Sequence, residues 1–125
     1  MSTITEEQYF NAFHACAKKI TVRGKILDAH MQFLQPNGMH VATATELASA
    51  VHYPNHNSIN LQYGLFARTI GEHLGITPDY ATPGSTDWLS IFVVFYVNGG
   101  NPLGHCELEL RPEVARAWTR FKAAA

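Results

Sequence analysis

Pro54 sits in the middle of an otherwise helix-rich stretch and divides it in two. Its ring fixes φ, supplies no amide donor and pushes Tyr53 out of the helical region, so no single helix runs through His52-Tyr53-Pro54-Asn55. Before the break, Thr43-Ala44-Thr45-Glu46 has the form of a capping box and opens a short helix through Leu47, Ala48, Ala50 and Val51. After it, Ile59, Tyr63, Phe66, Ile70 and Leu74 recur at three- and four-residue spacing, which predicts a longer helix from Asn57 to Leu74. Gly75 is placed for a left-handed cap, with Ile76 making the accompanying apolar contact. A short helix, a tight turn and a longer helix across residues 43–75 follow the helix-turn-helix plan.

The flanks add helices in front and a hairpin behind. Within 1–35, Thr5-Glu6-Glu7-Gln8 is another capping box, followed by Tyr9, Phe13, Cys16, Ala17 and Ile20 on one helical face. Gly24 separates this set from a second apolar set, Ile26, Leu27, His30, Phe33 and Leu34. Pro36-Asn37-Gly38 reads as a turn and Met39-His40-Val41 as a very short strand. Residues from Thr77 to Asp87 hold two prolines and no periodicity, an exposed loop. Trp88 to Val97 is rich in β-branched and aromatic residues and predicts a strand. Asn98-Gly99-Gly100-Asn101 is turn chemistry, and His105 to Leu110 alternates as a half-buried second strand, giving a hairpin over 88–110. Pro112 then starts a last helix over 112–123 with Val114, Trp118 and Phe121 inward. The expected whole is one domain over 1–125, mainly α with a small β-hairpin (α+β), of winged helix-turn-helix type.

Charge narrows the partners. Nine basic and ten acidic residues leave a formal net charge of −1, which excludes a strongly basic nucleic-acid binder at the scale of the whole chain but not a local patch. Cys16 and Cys106 are far apart and form no disulfide framework. The polar, acidic start is unlike a signal peptide, and no apolar stretch approaches the ~20 residues of a membrane helix. A cytoplasmic protein with no membrane partner is the expectation.

With the apolar stripe of the longer helix turned inward, its other side carries Asn57, Asn60, Gly64 and Arg68, with His56 at its amino-terminal end. That end meets base edges in helix-turn-helix docking. Asn57 and Asn60 fit adenine, Gly64 lets a backbone approach closely, and Arg68 suits a phosphate. Lys18, Lys19, Arg23 and Lys25 fall within eight residues, and Arg116 and Arg120 belong to a carboxy-terminal segment of net positive charge. Both sets are candidate phosphate contacts, with Asn98 to Asn101 as a wing tip. Two plainer readings stand beside these. No Lys or Arg occurs between Pro36 and Ala67, so the amide-bearing face also fits a merely solvated surface, and basic residues near a helix end also favour its dipole.

The string Leu47-Ala48-Ser49-Ala50-Val51-His52-Tyr53-Pro54-Asn55-His56 resembles the helix-turn-helix of alkylguanine DNA alkyltransferases and alkyltransferase-like proteins, where a threonine-led short helix precedes a Gly-Tyr-Pro-type turn and a reading helix. The span Val41 to Ile70, with NLQYGLFARTIGEHLG and LRPEVARAW, is similar in pattern to small bacterial DNA-binding domains that accompany HNH-type nucleases. The resemblance implies duplex DNA binding in regulation, defence or repair. It does not imply methyl transfer. The reactive Pro-Cys-His-Arg of the alkyltransferases is replaced by Gly104-His105-Cys106-Glu107, and the expected arginine by Asn57 or Ser58.

Other chemistry finds little footing. His105 and Cys106 are strand neighbours and point to opposite faces, so they do not pair, and Cys106 reads as a small buried hydrophobe. His52 and His56 have the spacing of a helical metal pair, but Pro54 lies between them. Glu107 and Glu109 share a strand face that suits acid–base work or a cation, or more simply a solvated edge. The expectation is a non-catalytic module for double-stranded DNA, with no cofactor and no metal. The alternative is a dimerising or partner-binding winged helix that binds no nucleic acid, motivated by a Trp88–Val97 strand apolar on both faces.

Overall fold

A computed structural model of the chain describes residues 4–76, 87–96 and 107–124. Among them, five α-helices surround a small three-stranded antiparallel sheet, an α+β architecture. Helix α1 spans Glu6–Ala15, α2 Gly24–Met31, α3 Ala44–Val51, α4 His56–Leu74 and α5 Pro112–Ala124. Strand β1 is Val41–Thr43, β2 Val93–Tyr96 and β3 Glu107–Leu110.

Both capping boxes form. The Thr5 hydroxyl accepts from the Gln8 amide while Gln8 Oε1 accepts from the Thr5 amide, and Thr43 and Glu46 do the same at α3. Helix α3 stops at Val51, before the proline: His52 takes the left-handed conformation, φ 62° and ψ 38°, as its cap. Asn55 then caps α4 by accepting from the Ser58 amide at 3.1 Å. Gly75 closes α4 with φ 71°, and the Ile76 amide donates back to the Gly71 carbonyl.

Several expectations change. The apolar series of the first helix continues past its end: α1 stops at Ala15, yet Cys16 and Ile20 remain buried in the turns that follow. Gly24, between the two apolar sets, is itself the first residue of α2, where a Cβ would come within 3.1 Å of the Trp118 ring. Leu34 is exposed, its backbone instead bridging to His40. The short strand lies at Val41–Thr43 rather than Met39–Val41, and it makes the sheet three-stranded in the order β1-β3-β2. Ala42 faces Leu108 across the β1–β3 pair, and Phe95 faces Leu108 across β2–β3.

The largest correction concerns Trp88–Val97. Asp87–Ile91 is a 3-10 helix, and the strand begins only at Val93. A strand would alternate inward and outward side chains, whereas Leu89, Ile91, Phe92 and Val93 are all buried. Trp88 and Ile91 settle against α4 at Gly71, where no side chain stands in the way. Residues 77–86 and 97–106, including the expected loop, the wing tip Asn98 to Asn101, His105 and Cys106, lie outside the described residues.

The core lies where α1, α4, α5 and the sheet meet. Phe13, Phe66, Phe92 and Trp118 form its aromatic centre, with Phe66 and Phe92 edge-to-face at 5.0 Å between ring centres. This packing fixes which side of α4 faces inward: Ile59, Tyr63, Phe66, Ala67 and Ile70 are fully buried.

Candidate functional site on the outward face of α4

Because Ile59, Tyr63, Phe66 and Ile70 are held in the core, the opposite stripe of α4 is Asn57, Leu61, Gly64 and Arg68, spaced four, three and four residues apart. Asn57, Leu61 and Arg68 are exposed, Gly64 is half-buried within the stripe, and His56 and Asn60 are half-buried at its margins. Leu61 is 59% exposed, an apolar side chain in the middle of a polar face.

The glycines of α4 divide by cause. At Gly71 an added Cβ would collide with Ile91 and with the Trp88 ring, so packing demands glycine there. At Gly64 an added Cβ would meet nothing within 4 Å. A mid-helix glycine costs about 0.5–1 kcal/mol relative to alanine, and nothing in the fold requires that cost at Gly64.

The basic residues separate into two groups. Arg23 donates from Nε to Gln62 Oε1 on α4 at 2.9 Å, and Lys25 lies 4.7 Å from the centre of the Tyr53 ring in the α3–α4 turn. Lys18 and Lys19 are exposed on the turns between α1 and α2. Arg68 is half-exposed, paired with Glu72 at 3.3 Å and stacked near Trp88. Such an exposed pair is weak, about 0–1 kcal/mol, and leaves the guanidinium able to turn toward another anion.

Arg116 and Arg120 are arranged differently. Arg116 Nε donates to Glu6 at 2.7 Å, and Arg120 Nη1 donates to Glu6 at 3.1 Å and Glu7 at 2.9 Å. These bonds, with Arg116 first, hold the Glu6 carboxyl below its ordinary range, while Glu7 and then Glu6 raise the Arg120 guanidinium further. The two arginines are thus engaged with α1 carboxylates, at the edge of a cleft of about 430 Å³ that also includes Met31, His40 and Leu110. They are not among the contacts made by α4.

On the sheet, Glu107 and Glu109 join Glu46 along an open groove of about 620 Å³ with Val41, Thr43 and Phe33. Glu46 is already engaged in capping α3. Among the described residues, no three His, Cys, Asp or Glu side chains converge as metal ligands would, and no helix is long and apolar enough to cross a membrane.

Sequence reasoning singled out Asn57, Asn60, Gly64 and Arg68 but passed over Leu61, Gln62 and Tyr53. Leu61 was legible in principle, being four residues beyond Asn57 and three before Gly64, but its apolar type drew attention to the core. The link between Arg23 and Gln62 spans 39 residues and leaves no local signal. Set against protein-family models, curated proteins and solved structures, the chain matches none.

Proposed function

We propose that the chain is a winged helix-turn-helix domain that binds double-stranded DNA without catalysis of its own, laying the outward stripe of α4 into the major groove. The observation that carries this reading is Gly64: a half-buried glycine that packing does not need, with open space where a side chain would stand, on a stripe that also bears Asn57 and Arg68. Close approach of another backbone is the physical use of such a position. The order of elements supports it, since a capped helix pair precedes a β2–β3 antiparallel pair in the manner of a helix-turn-helix with a wing.

In this reading Asn57 and Asn60 meet adenine edges, with His56 beside them. The first-turn amides of α4 not taken by the Asn55 cap, with Arg68, Arg23, Lys25, Lys18 and Lys19, meet phosphates. Arg116 and Arg120 are the weaker phosphate candidates, because Glu6 and Glu7 together already stand against them. The partner-binding alternative loses its main motive: Leu89, Ile91, Phe92 and Val93 are covered within the chain, leaving Phe95 at 38% exposure on the edge strand β2.

The test pairs affinity with stability. Titration of a labelled duplex at low and at physiological salt yields salt-sensitive binding at micromolar protein or better. Gly64→Ala raises unfolding free energy by about 0.5–1 kcal/mol and weakens duplex binding at least tenfold, a combination that a damaged fold does not produce. Salt-insensitive or absent binding, or a Gly64→Ala protein that binds as well as the parent, defeats the reading.

A further inference from the structure

Leu61 lies within the outward stripe of α4, exposed, between Asn57 and Gly64. It is not part of the buried core, and on α4 it is the large apolar side chain left exposed. On a helix that rises 1.5 Å per residue, Asn57 and Leu61 are separated by about 6 Å along the axis, close to two base-pair steps of about 3.4 Å, so they address different base pairs. Asparagine selects adenine in the major groove. The partner of adenine carries the groove's one apolar landmark, the thymine 5-methyl group. Leu61, about two steps along the groove from the pair that Asn57 reads, has the methyl of a thymine there as its apolar partner. The basic residues beside α4, Arg23 and Lys25, supply complementary charge for the flanking phosphates.

We infer that Leu61 is a specificity-determining residue that reads thymine methyl groups, so that the preferred ligand is duplex DNA with A·T pairs at the α4 contact. This rests on the duplex-binding reading above and adds to it a defined base preference and the atom that sets it. Leu61 is exposed and not part of the buried core, so Leu61→Ala is expected to fold as the parent does.

Three probes separate the possibilities: an alternating dA·dT duplex, the same duplex with dU in place of every T, and an alternating dG·dC duplex. The parent protein binds the thymine duplex most tightly. Losing one buried methyl per contact weakens it by about threefold to fivefold on the dU duplex, the factor expected for about 0.8 kcal/mol. Leu61→Ala binds the thymine and dU duplexes equally. Equal binding of both by the parent overturns the inference while leaving duplex binding intact. Discrimination that persists in Leu61→Ala also overturns it, because the preference then comes from DNA shape and not from this side chain. Binding to none of the three removes both this inference and the reading beneath it.

Discussion

His30 is fully buried and polar, and both of its ring nitrogens are used. Nε2 lies 2.9 Å from the Leu108 carbonyl and Nδ1 2.8 Å from the Tyr63 hydroxyl. A carbonyl only accepts, so Nε2 carries the proton and Nδ1 accepts from Tyr63. The ring thereby ties α2 to the inward side of α4 and to β3, directly beneath the candidate reading face. Burial, reinforced by the charge of nearby His40, lowers its pKa to about 4 from 6.5, despite the opposing pull of the Leu108 carbonyl. The unfolded chain therefore binds a proton that the folded one refuses. The contribution to stability is full above about pH 6.5 and declines as pH falls to about 4, by about 3 kcal/mol in all. Urea unfolding at about pH 7 and about pH 4.5 reads this directly, and His30→Leu, although weaker at neutral pH, loses that share of the pH dependence. A parent protein whose midpoint is unchanged over that range would mean the ring is not held neutral by its burial. The sequence placed His30 on an apolar helix face, which is where it is. Its two partners, 33 and 78 residues away, had no local trace.

Helix α4 shows what pattern reading captures and where it fails. Its extent, carboxy-terminal cap and buried stripe were legible because periodicity and capping are local, and Ile59, Tyr63, Phe66 and Ile70 are buried as the spacing requires. The run after it misled because β-branched and aromatic residues report a preference for burial as much as for strand backbone. Trp88–Ile91 meets that preference as a 3-10 helix packed on α4. The close approach depends on Gly71, so Gly71→Ala forces its new methyl against Ile91 and Trp88. Overpacking of this kind costs about 1–3 kcal/mol, more than the helix-propensity gain offsets. Equilibrium unfolding then moves in opposite directions for Gly71→Ala and Gly64→Ala, two chemically identical changes seven residues apart on one helix. A stabilised Gly71→Ala would mean that Trp88 and Ile91 do not pack there as described.

At the scale of the molecule, a net charge of −1 conceals a division that the sequence did not reveal. Basic segments near both ends of the chain looked like one possible phosphate rim, since linear sequence does not say which carboxylates stand opposite. Folding brings Glu6 and Glu7 against Arg116 and Arg120 across more than one hundred residues, and that surface is locally neutral. It places Arg23 against Gln62 and Lys25 over Tyr53, beside the reading helix. The sheet shows the same limit: β1 has three residues and finds β3 across the intervening helix pair, so its pairing leaves only a faint local signature. The division has a measurable consequence. Each phosphate neutralised by a bound cation contributes about −0.9 to the slope of log affinity against log salt. Replacing Arg23 and Lys25 together by Gln therefore flattens that slope by about 2, with affinity lowered most at low salt. Replacing Arg116 and Arg120 by Gln leaves the slope unchanged and acts instead on the exposed α1–α5 ion pairs, with little effect on stability. The reverse assignment, a slope governed by Arg116 and Arg120, would require the polyanion to displace Glu6 and Glu7 and to lie against α5. Salt slopes of the two double variants, measured on one duplex, therefore locate the bound backbone on one side of the molecule or the other.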